Sequence, residues 1–299
     1  MSVRLIGAWD LPGHSGPVYA LTCDYERKSL FSAGADGYIA EWRCATGKHA
    51  QAVARTPNAV YALHFASELR HLYIGESTGV VYVLDLSEKK LRRSIRAHKG
   101  SVFGLNSHPS DPEGWSSGRD GYFLYWDTHR SEPFAQVQVA PAGLRGFILS
   151  PRGDSFLCAG RDGYVYEVSR TERTLIKQVQ ADTHFVFAIQ SSPKQNIIAT
   201  GGKSGYLKLW DANLHLLQEK HAHAFTLNAI AWHPNGHALA TGGRDRYIHI
   251  WDIHTGEKLL TLSGHQRSVN ALIWLNPETL ASAGDDGMIK MWHLEGLPE

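Results

Sequence analysis

The chain repeats one short sequence pattern seven times, and this repeat is the feature that most limits the folds open to it. Each copy contains a run of β-branched and aromatic residues after a turn, as in DGYIAEW and DGYFLYW. The last residues of the seven runs are Trp42, Leu84, Trp126, Val168, Trp210, Trp251 and Trp292. These positions are 42, 42, 42, 42, 41 and 41 residues apart. Such a period indicates a fold assembled from copies of one supersecondary unit.

Within one copy, the sequence predicts four short strands. In the copy at residues 223–262, LNAIAW and ALATGG are separated by HPNG, and YIHIWDI and KLLTLSG follow further turns. Runs of this composition, bounded by Gly, Pro, Asn and Asp, are typical of strands. No segment shows a sustained 3.6-residue apolar period, which an amphipathic helix would need. Because a four-stranded unit cannot bury both of its faces alone, adjacent copies must cover each other.

The repeat resembles the WD40 family, in which copies of about 40–45 residues carry GH and WD dipeptides. GH-type pairs are present at Gly13-His14, Ala97-His98, Ala222-His223 and Gly264-His265. WD pairs are present at Trp126-Asp127, Trp210-Asp211 and Trp251-Asp252. The resemblance implies an all-β fold, a seven-bladed β-propeller of four-stranded antiparallel blades, with residues 1–299 forming one domain.

The seventh copy lacks a fourth strand, because only a short segment follows Trp292. At the other end of the chain, residues 5–11 followed by PGH parallel residues 259–263 followed by GH. We therefore expect residues 3–10 to form the outer strand of blade 7, which would leave no open seam in the ring. The alternative is a frayed N-terminal arm.

The resemblance also implies that a His, a Ser or Thr, an Asp and a Trp form a hydrogen-bonded tetrad within a blade. The four complete sets are His14, Ser32, Asp36 and Trp42; His98, Ser116, Asp120 and Trp126; His223, Thr241, Asp245 and Trp251; and His265, Ser282, Asp286 and Trp292. The carboxylate accepts from the imidazole, and the hydroxyl links the imidazole to the donor-only indole. Since the set recurs four times, it favours blade structure over the single active site of a serine hydrolase.

Blades 2, 4 and 5 depart from this tetrad pattern. The second and fourth copies have apolar residues at the Ser and Trp positions, and the fifth keeps Thr200 and Trp210 but lacks the His. The sequence allows two interpretations of this departure. One is that these blades are less rigid than the others, and the other is that their apolar substitutes pack equally well.

Two sets of residues recur where the ring should present its top face, which carries the loops before the first strands and between the second and third strands. One set lies early in the innermost strands and the other precedes the tetrad Asp position. Their aromatic and basic members, with Phe185 beside them, are Tyr19, Tyr61, Phe103, Arg119, Arg145, Arg161, Phe185, Phe187, Lys203 and Arg244. Interface cores are enriched in aromatic residues and Arg. We expect a protein or peptide partner with acidic and aromatic or apolar residues to bind there; the alternative is that these cations are solvated or paired locally and the aromatics only pack.

The leading functional interpretation is a noncatalytic protein-interaction scaffold. The alternatives are polyanion or nucleic-acid binding by the basic top face, and a small-molecule sensor or enzyme that uses the central channel. The net charge of +1 argues against a general polyanion binder. No metal, cofactor or nucleophile motif is recognised. Glu41 and Glu167 lie in third strands three copies apart, so we expect each to meet a local cation or solvent rather than to form a catalytic pair.

Composition limits the cellular setting. Mean hydropathy is −0.28, and no apolar run approaches the 18 residues of a membrane-spanning helix. The first residues lack the apolar core and cleavage site of a signal peptide. The three cysteines are too few and scattered for a disulfide framework. We therefore expect a soluble, cytoplasmic protein that does not contact membranes and is a monomer by itself.

Overall fold

The chain folds into seven antiparallel sheets of four strands each, in agreement with the predicted seven-bladed propeller. The computed structural model describes residues 3–43, 50–108, 112–127, 130 and 132–298. Each sheet is one blade, and its strands are arranged in chain order from the innermost to the outermost, except in blade 7. Within the described residues, no helix of the length and hydrophobicity needed to cross a membrane is present.

The strands of blades 1 to 7 occupy equivalent positions. The innermost strands are β2 (Val18–Asp24), β6 (Val60–Ala66), β10 (Val102–Ser107), β14 (Leu144–Leu149), β18 (Val186–Ser191), β22 (Leu227–Trp232) and β26 (Val269–Asn276). The second strands are β3 (Ser29–Gly34), β7 (His71–Glu76), β11 (Glu113–Gly118), β15 (Ser155–Gly160), β19 (Ile197–Gly202), β23 (Ala238–Gly243) and β27 (Thr279–Gly284). The third strands are β4 (Tyr38–Arg43), β8 (Val80–Asp85), β12 (Tyr122–Asp127), β16 (Tyr164–Ser169), β20 (Tyr206–Asp211), β24 (Ile248–Asp252) and β28 (Ile289–Glu295). The outer strands are β5 (Ala50–Arg55), β9 (Lys90–Arg96), β13 (Pro133–Gln138), β17 (Leu175–Gln180), β21 (Leu216–His221), β25 (Lys258–Leu262) and β1 (Arg4–Leu11).

The N-terminal strand closes the ring. Strand β1 pairs antiparallel with β28, with Leu5 opposite Leu294 and Ala8 opposite Trp292. Its last residue, Leu11, is buried in the interface between blades 7 and 1. The prediction that the N-terminal strand completes blade 7 is therefore confirmed, and the alternative of a frayed arm is wrong. The strand runs one residue later at each end than predicted.

The hydrophobic core is divided among the seven blade interfaces. Each apolar cluster combines residues of two adjacent blades, for example Phe31 and Ile39 of blade 1 with Leu72 and Ile74 of blade 2. Another cluster joins the two ends of the chain, because Ile289 of blade 7 packs with residues of blade 1. This distribution explains the sequence pattern, since every blade must present an apolar layer to both neighbours.

Glycine permits the tight turns between second and third strands. In blade 3, Gly121 has a φ of +82°, and an added Cβ would lie 1.9 Å from the carbonyl oxygen of Ala140. The backbone N–H groups of Val139 and Ala140 donate to the Gly121 carbonyl, at 2.9 and 3.2 Å. A residue with a side chain would therefore be strained both by its backbone conformation and by this close approach.

Candidate partner-binding mouth

A β-bulge in every innermost strand directs one side chain toward the top of the central channel. The register of the first and second strands shifts around the same position in all seven blades. A bulge leaves the extra residue unpaired and re-aims its side chain. The residues in the seven bulges are Tyr19, Tyr61, Phe103, Arg145 with Gly146, Phe187, Asn228 and Asn270. They include the first set singled out in the sequence.

The second recurrent set is fixed to the top face through its backbone. In each blade, the N–H of this residue donates to a carbonyl in the loop before the first strand, as from Arg119 to Ser101 at 2.9 Å and from Arg244 to Thr226 at 3.0 Å. The turns that carry the cations are thus held close to the channel entrance.

A cavity of about 550 Å³ forms where these two sets meet. We call it the mouth. Its lining residues are Tyr19, Tyr61, Phe103, Arg145, Gly146, Phe187, Lys203, Thr226, Asn228, Arg244, Ser268, Asn270 and Asp285. Seven of the ten residues assigned to the top face from the sequence therefore line one cavity.

The other three predicted residues, Arg119, Arg161 and Phe185, do not line this cavity. Arg119 is exposed. The Arg161 guanidinium carbon lies 5.5 Å from the centre of the Phe185 ring, and that ring lies 5.8 Å from Phe187. Arg161 and Phe185 therefore extend the mouth outward over blades 4 and 5.

One side of the mouth is a continuous arc of aromatic rings. The ring centres of Tyr19 and Tyr61 are 4.9 Å apart, and those of Tyr61 and Phe103 are 5.3 Å apart. The Arg145 guanidinium carbon continues the arc, at 4.5 Å from the Phe103 ring centre and 5.4 Å from the Phe187 ring centre. Contacts at these distances are favourable for both the rings and the cation.

The positive charge of Arg145 has no acid opposite it. In the chain as described, no carboxylate forms an ion pair with this side chain. Burial and the nearby positive charge of Arg161 lower the pKa of Arg145 to about 10. A partly desolvated cation between two rings is a favourable place for an anion from another molecule.

On the opposite side of the mouth, the amides and the carboxylate of blades 6 and 7 are already hydrogen-bonded within the protein. The Asn270 amide donates to Asp285 at 2.7 Å and to the Val18 carbonyl at 3.1 Å. The Asn228 amide donates to the Val269 carbonyl at 3.2 Å. The carboxylate of Asp285 is thus engaged by its own blade, and the mouth keeps an aromatic, cationic side and an amide-rich side.

Three of the four tetrads have every expected bond. In blade 6, Trp251 Nε1 donates to Thr241 Oγ1, and His223 joins that hydroxyl to Asp245, each at 2.9 Å. The sets at His14 and at His265 have the same bonds. Burial is the largest single influence and raises the pKa of Asp245, but the hydrogen bond and charge of His223 and the N–H groups of Ala224 and Tyr247 together outweigh it, so the pKa lies below its ordinary value.

The tetrad assigned to blade 3 is incomplete, which corrects the sequence-based expectation. His98 joins Ser116 and Asp120 at 2.9 Å, but the buried Trp126 Nε1 has no hydrogen-bond partner among the described residues. The position of the indole is explained by the residue that pairs with Trp126 on the neighbouring second strand. Gly114 stands there, and an added Cβ would lie only 2.2 Å from the Trp126 ring. The Trp126 ring packs directly against Gly114. In blades 1, 6 and 7, the residue paired with the tetrad Trp is a leucine.

The three irregular blades use other polar contacts at this place. In blade 2, the buried Glu76 accepts from the Asn58 N–H at 3.1 Å and from the Thr78 hydroxyl. In blade 4, the Tyr166 hydroxyl donates to Asp162 at 2.6 Å. In blade 5, Ser204 donates to Asp182 through both its N–H and its hydroxyl.

Glu41 and Glu167 are separate side chains with local partners. Glu167 is buried and is held by Ser155 at 2.7 Å, by Arg152 and by Lys177. Glu41 accepts from the Ser29 hydroxyl at 2.8 Å.

One group in the described residues has the composition of a metal site, His223, Asp245 and His249. Both nitrogens of His223 already take part in the tetrad, and Nδ1 of His249 lies 3.0 Å from the Thr261 hydroxyl. The imidazoles of His223 and His249 are stacked at 4.7 Å. We assign this group to the packing of blade 6, and it fits a metal poorly because a metal would have to displace tetrad bonds.

Among the cavities that the described residues form on the opposite, bottom face, the two with the larger volumes were not anticipated from the sequence. One, of about 1090 Å³, lies among the ends of the innermost strands of blades 1, 5, 6 and 7 and is lined largely by apolar residues such as Ile273 and Trp274. The other, of about 770 Å³, lies between blades 1 and 2 and is basic. Both combine strand ends with residues of the adjoining turns, and turn residues carry little periodic signal.

The sequence matches known β-propeller proteins. A family model described as the N-terminal β-propeller domain of nucleolar protein 10-like proteins matches residues 18–293. The APC/C activator protein CDH1 of Saccharomyces cerevisiae is 26% identical over 53% of this chain and 28% of its own length. WD repeat-containing protein 91 of Danio rerio is 26% identical over 54% of this chain and 25% of its own length. DNA damage-binding protein 2 of Oryza sativa is 31% identical over 46% of this chain and 26% of its own length. The matches thus span about a quarter of each of these relatives.

Proposed function

Because this chain belongs to the nucleolar protein 10-like family of N-terminal β-propeller domains, a WD-repeat fold that generally serves as a protein-interaction scaffold, we propose that it binds an acidic segment of a partner protein in the mouth. The segment would place a carboxylate at Arg145 and an apolar or aromatic residue against the arc of rings. The chain would act without catalysis, metal or cofactor, and as a monomer until the partner binds.

The position of Arg145 is the observation that carries this proposal. Its guanidinium is held between Phe103 and Phe187, so little side-chain entropy is lost when an anion binds. Lys203 and Arg244 add two more cations to the lining, while Asp285 is engaged by Asn270. Aromatic and arginine side chains in a concave site are the usual anchors of protein interfaces.

The experiment compares partner capture from native lysate by the wild type and by the mouth variant Lys203→Glu/Arg244→Glu, which reverses two of the three cations that line the cavity. A matched control, Lys220→Glu/Lys258→Glu, makes the same change in net charge outside the mouth. We expect the mouth variant to lose specific partners that the control retains. An identical partner set for all three proteins would overturn the proposal.

A second candidate function is nucleic-acid binding at the same mouth. Two names favour this candidate, that of the nucleolar protein 10-like family and that of the relative DNA damage-binding protein 2. The charge of the chain argues against it, since only three cations line the cavity and the net charge is +1. Phosphate-dominated binding weakens steeply with salt. Binding of a single-stranded oligonucleotide that is lost between about 50 and 200 mM salt, and lost in the mouth variant, would favour this candidate.

The cytoplasmic location expected from the sequence stays a prediction. Imaging of the tagged chain in cells of its source would test it. Enrichment in the nucleus or nucleolus would contradict it.

A further inference from the structure

The bottom-face cavity between blades 1 and 2 is distinct from the mouth. It shares no lining residue with the mouth and has a volume of about 770 Å³. We call it the basic groove. Its lining residues are Arg27, Lys28, Ser29, Glu41, Arg43, Gln51, Ala52, Val53, Arg70, Leu84, Leu86 and Lys89. They come from the turns after β2, β6 and β8 and from the adjoining parts of β3, β4, β5 and β8.

Positive charge dominates the lining. Five of these residues are Arg or Lys, and one, Glu41, is acidic. The Glu41 carboxylate accepts from the Ser29 hydroxyl at 2.8 Å. Arg70 pairs with Asp24 at 2.8 Å, below the groove. Within the described ranges no ion pair neutralises the other four cations, which are Arg27, Lys28, Arg43 and Lys89.

Arg70 offers a donor that the fold leaves unused. Its Nη1 is fixed by Asp24, and its guanidinium carbon lies 5.5 Å from the centre of the Phe65 ring. Its Nε is buried and has no hydrogen-bond partner in the described part of the chain. A buried donor without an acceptor is costly. Arg70 therefore keeps one guanidinium donor that the described residues do not satisfy.

Because five cations line the basic groove, the ligand that fits it best is an anion with more than one charge and several acceptor atoms. A phosphorylated Ser or Thr side chain carries about −1.5 to −2 charges and three acceptor oxygens. Guanidinium and ammonium groups are the usual donors to phosphate. Beside the cations, the aliphatic side chains of Ala52, Val53, Leu84 and Leu86 also line the groove. These side chains suit the apolar neighbours of a phosphorylated residue in a peptide.

We infer that the basic groove binds a phosphorylated segment of a partner protein, with the phosphoryl group among the five cations and adjacent apolar residues against the aliphatic wall. A groove of about 770 Å³ with five cations favours one phosphoryl group over the continuous backbone of a nucleic acid, which would need an extended basic track. This interaction does not depend on the mouth.

The test uses a fluorescent peptide with phosphoserine between two leucines, its unphosphorylated twin and an oligouridine RNA, each titrated by fluorescence anisotropy. We expect the phosphopeptide to bind and its twin to bind at least about 10-fold more weakly, because the phosphoryl group supplies the charge-assisted bonds. The variant Arg43→Glu/Lys89→Glu should lose the preference for phosphate. Both side chains are exposed, so this variant should keep the wild-type melting temperature.

Two control proteins separate this proposal from the others. Lys220→Glu/Lys258→Glu makes the same charge change on the outer strands of blades 5 and 6, and Arg161→Glu/Arg244→Glu alters the surroundings of the mouth. Both should bind the phosphopeptide like the wild type. Equal affinity for the two peptides, no binding at about 1 mM phosphopeptide, or an unchanged preference in the Arg43→Glu/Lys89→Glu variant would overturn the proposal. Tighter binding of the RNA than of the phosphopeptide would also overturn it.

Discussion

The guanidinium carbon of Arg145 lies 4.5 Å from the ring centre of Phe103, and this contact crosses from blade 4 to blade 3. The two side chains occupy equivalent bulges of neighbouring innermost strands. A periodic backbone feature thus brings together residues that are 42 positions apart in sequence. The strands and bulges are the same in every copy and form the scaffold, whereas the side chains at the bulges differ among copies and form the mouth.

Replacing Arg145 by Met should weaken partner binding with little loss of stability. Met keeps much of the aliphatic volume and can contact both Phe103 and Phe187, but it removes the charge. We expect the free energy of unfolding to change by less than about 1 kcal/mol, because a cation–π contact at a partly exposed site contributes about that much. Partner capture from lysate should fall because the positive charge is lost, although the free energy of unfolding barely changes. Arg145→Lys is the conservative control and should retain part of the binding.

Removing the N-terminal strand should strongly destabilise the ring. Deletion of residues 1–11 removes β1, exposes the edge of β28 and takes the buried Leu11 out of the interface between blades 7 and 1. We expect the melting temperature to fall by more than about 10 °C. Deletion of residues 1–3, which leaves β1 intact, is the control. Equal melting curves for the two deletions would show that closure contributes little.

The number of blades, the order of strands and the closing strand could all be predicted from the period and from one missing strand. The top-face positions could be predicted as well, because a bulge at a fixed place in each copy preserves the alignment. The indole of Trp126 could not be placed by matching tetrad residues alone. The signal was Gly114, whose missing side chain leaves room for the ring.

The polar substitutes in blades 2, 4 and 5 lay outside the aligned positions. Glu76 replaces a glycine of the repeat, and its longer side chain accepts from the backbone N–H of Asn58, one residue beyond Pro57, which has no N–H and stands where other blades donate to the tetrad Asp. Tyr166 reaches Asp162 from the third strand. Side-chain length and direction decide such contacts, and neither is visible as a periodic pattern. Whether these blades are less rigid than the others stays a prediction.

The two kinds of tetrad predict different costs for the same substitution. Ser282→Ala removes the partner of both Trp292 Nε1 and His265 Nε2, which lie 2.8 and 2.7 Å from the hydroxyl. Ser116→Ala removes only the bond to His98, because Trp126 Nε1 does not use that hydroxyl. Since a buried group left without a partner costs about 1–3 kcal/mol, we expect losses of about 2–4 kcal/mol for Ser282→Ala and about 1–2 kcal/mol for Ser116→Ala. Urea unfolding of the two variants measures the difference, and equal losses would contradict the assignment of blade 3.

Two histidines, the half-buried His64 and the buried His249, should make the protein sensitive to mild acid. Burial lowers the pKa of His64 to about 4, and its Nε2 lies 3.0 Å from the Ser107 hydroxyl. Burial, together with the positive charges of His223 and Lys258, lowers the pKa of His249 to about 4. In the unfolded chain these imidazoles take up protons near pH 6.5, whereas in the folded chain they stay neutral down to about pH 4.

The free energy of unfolding should therefore fall as the pH decreases from about 6.5 to 4, because the unfolded state binds more protons in this window. The tetrad carboxylates, whose pKa values lie below the ordinary value, lose their contribution only at lower pH. Urea unfolding at pH 7 and pH 5 should show a smaller decrease for His64→Gln, by about 1–2 kcal/mol, since the amide can still bond to Ser107 and does not titrate. An equal decrease in His64→Gln and the wild type would show that His64 does not titrate between the two states.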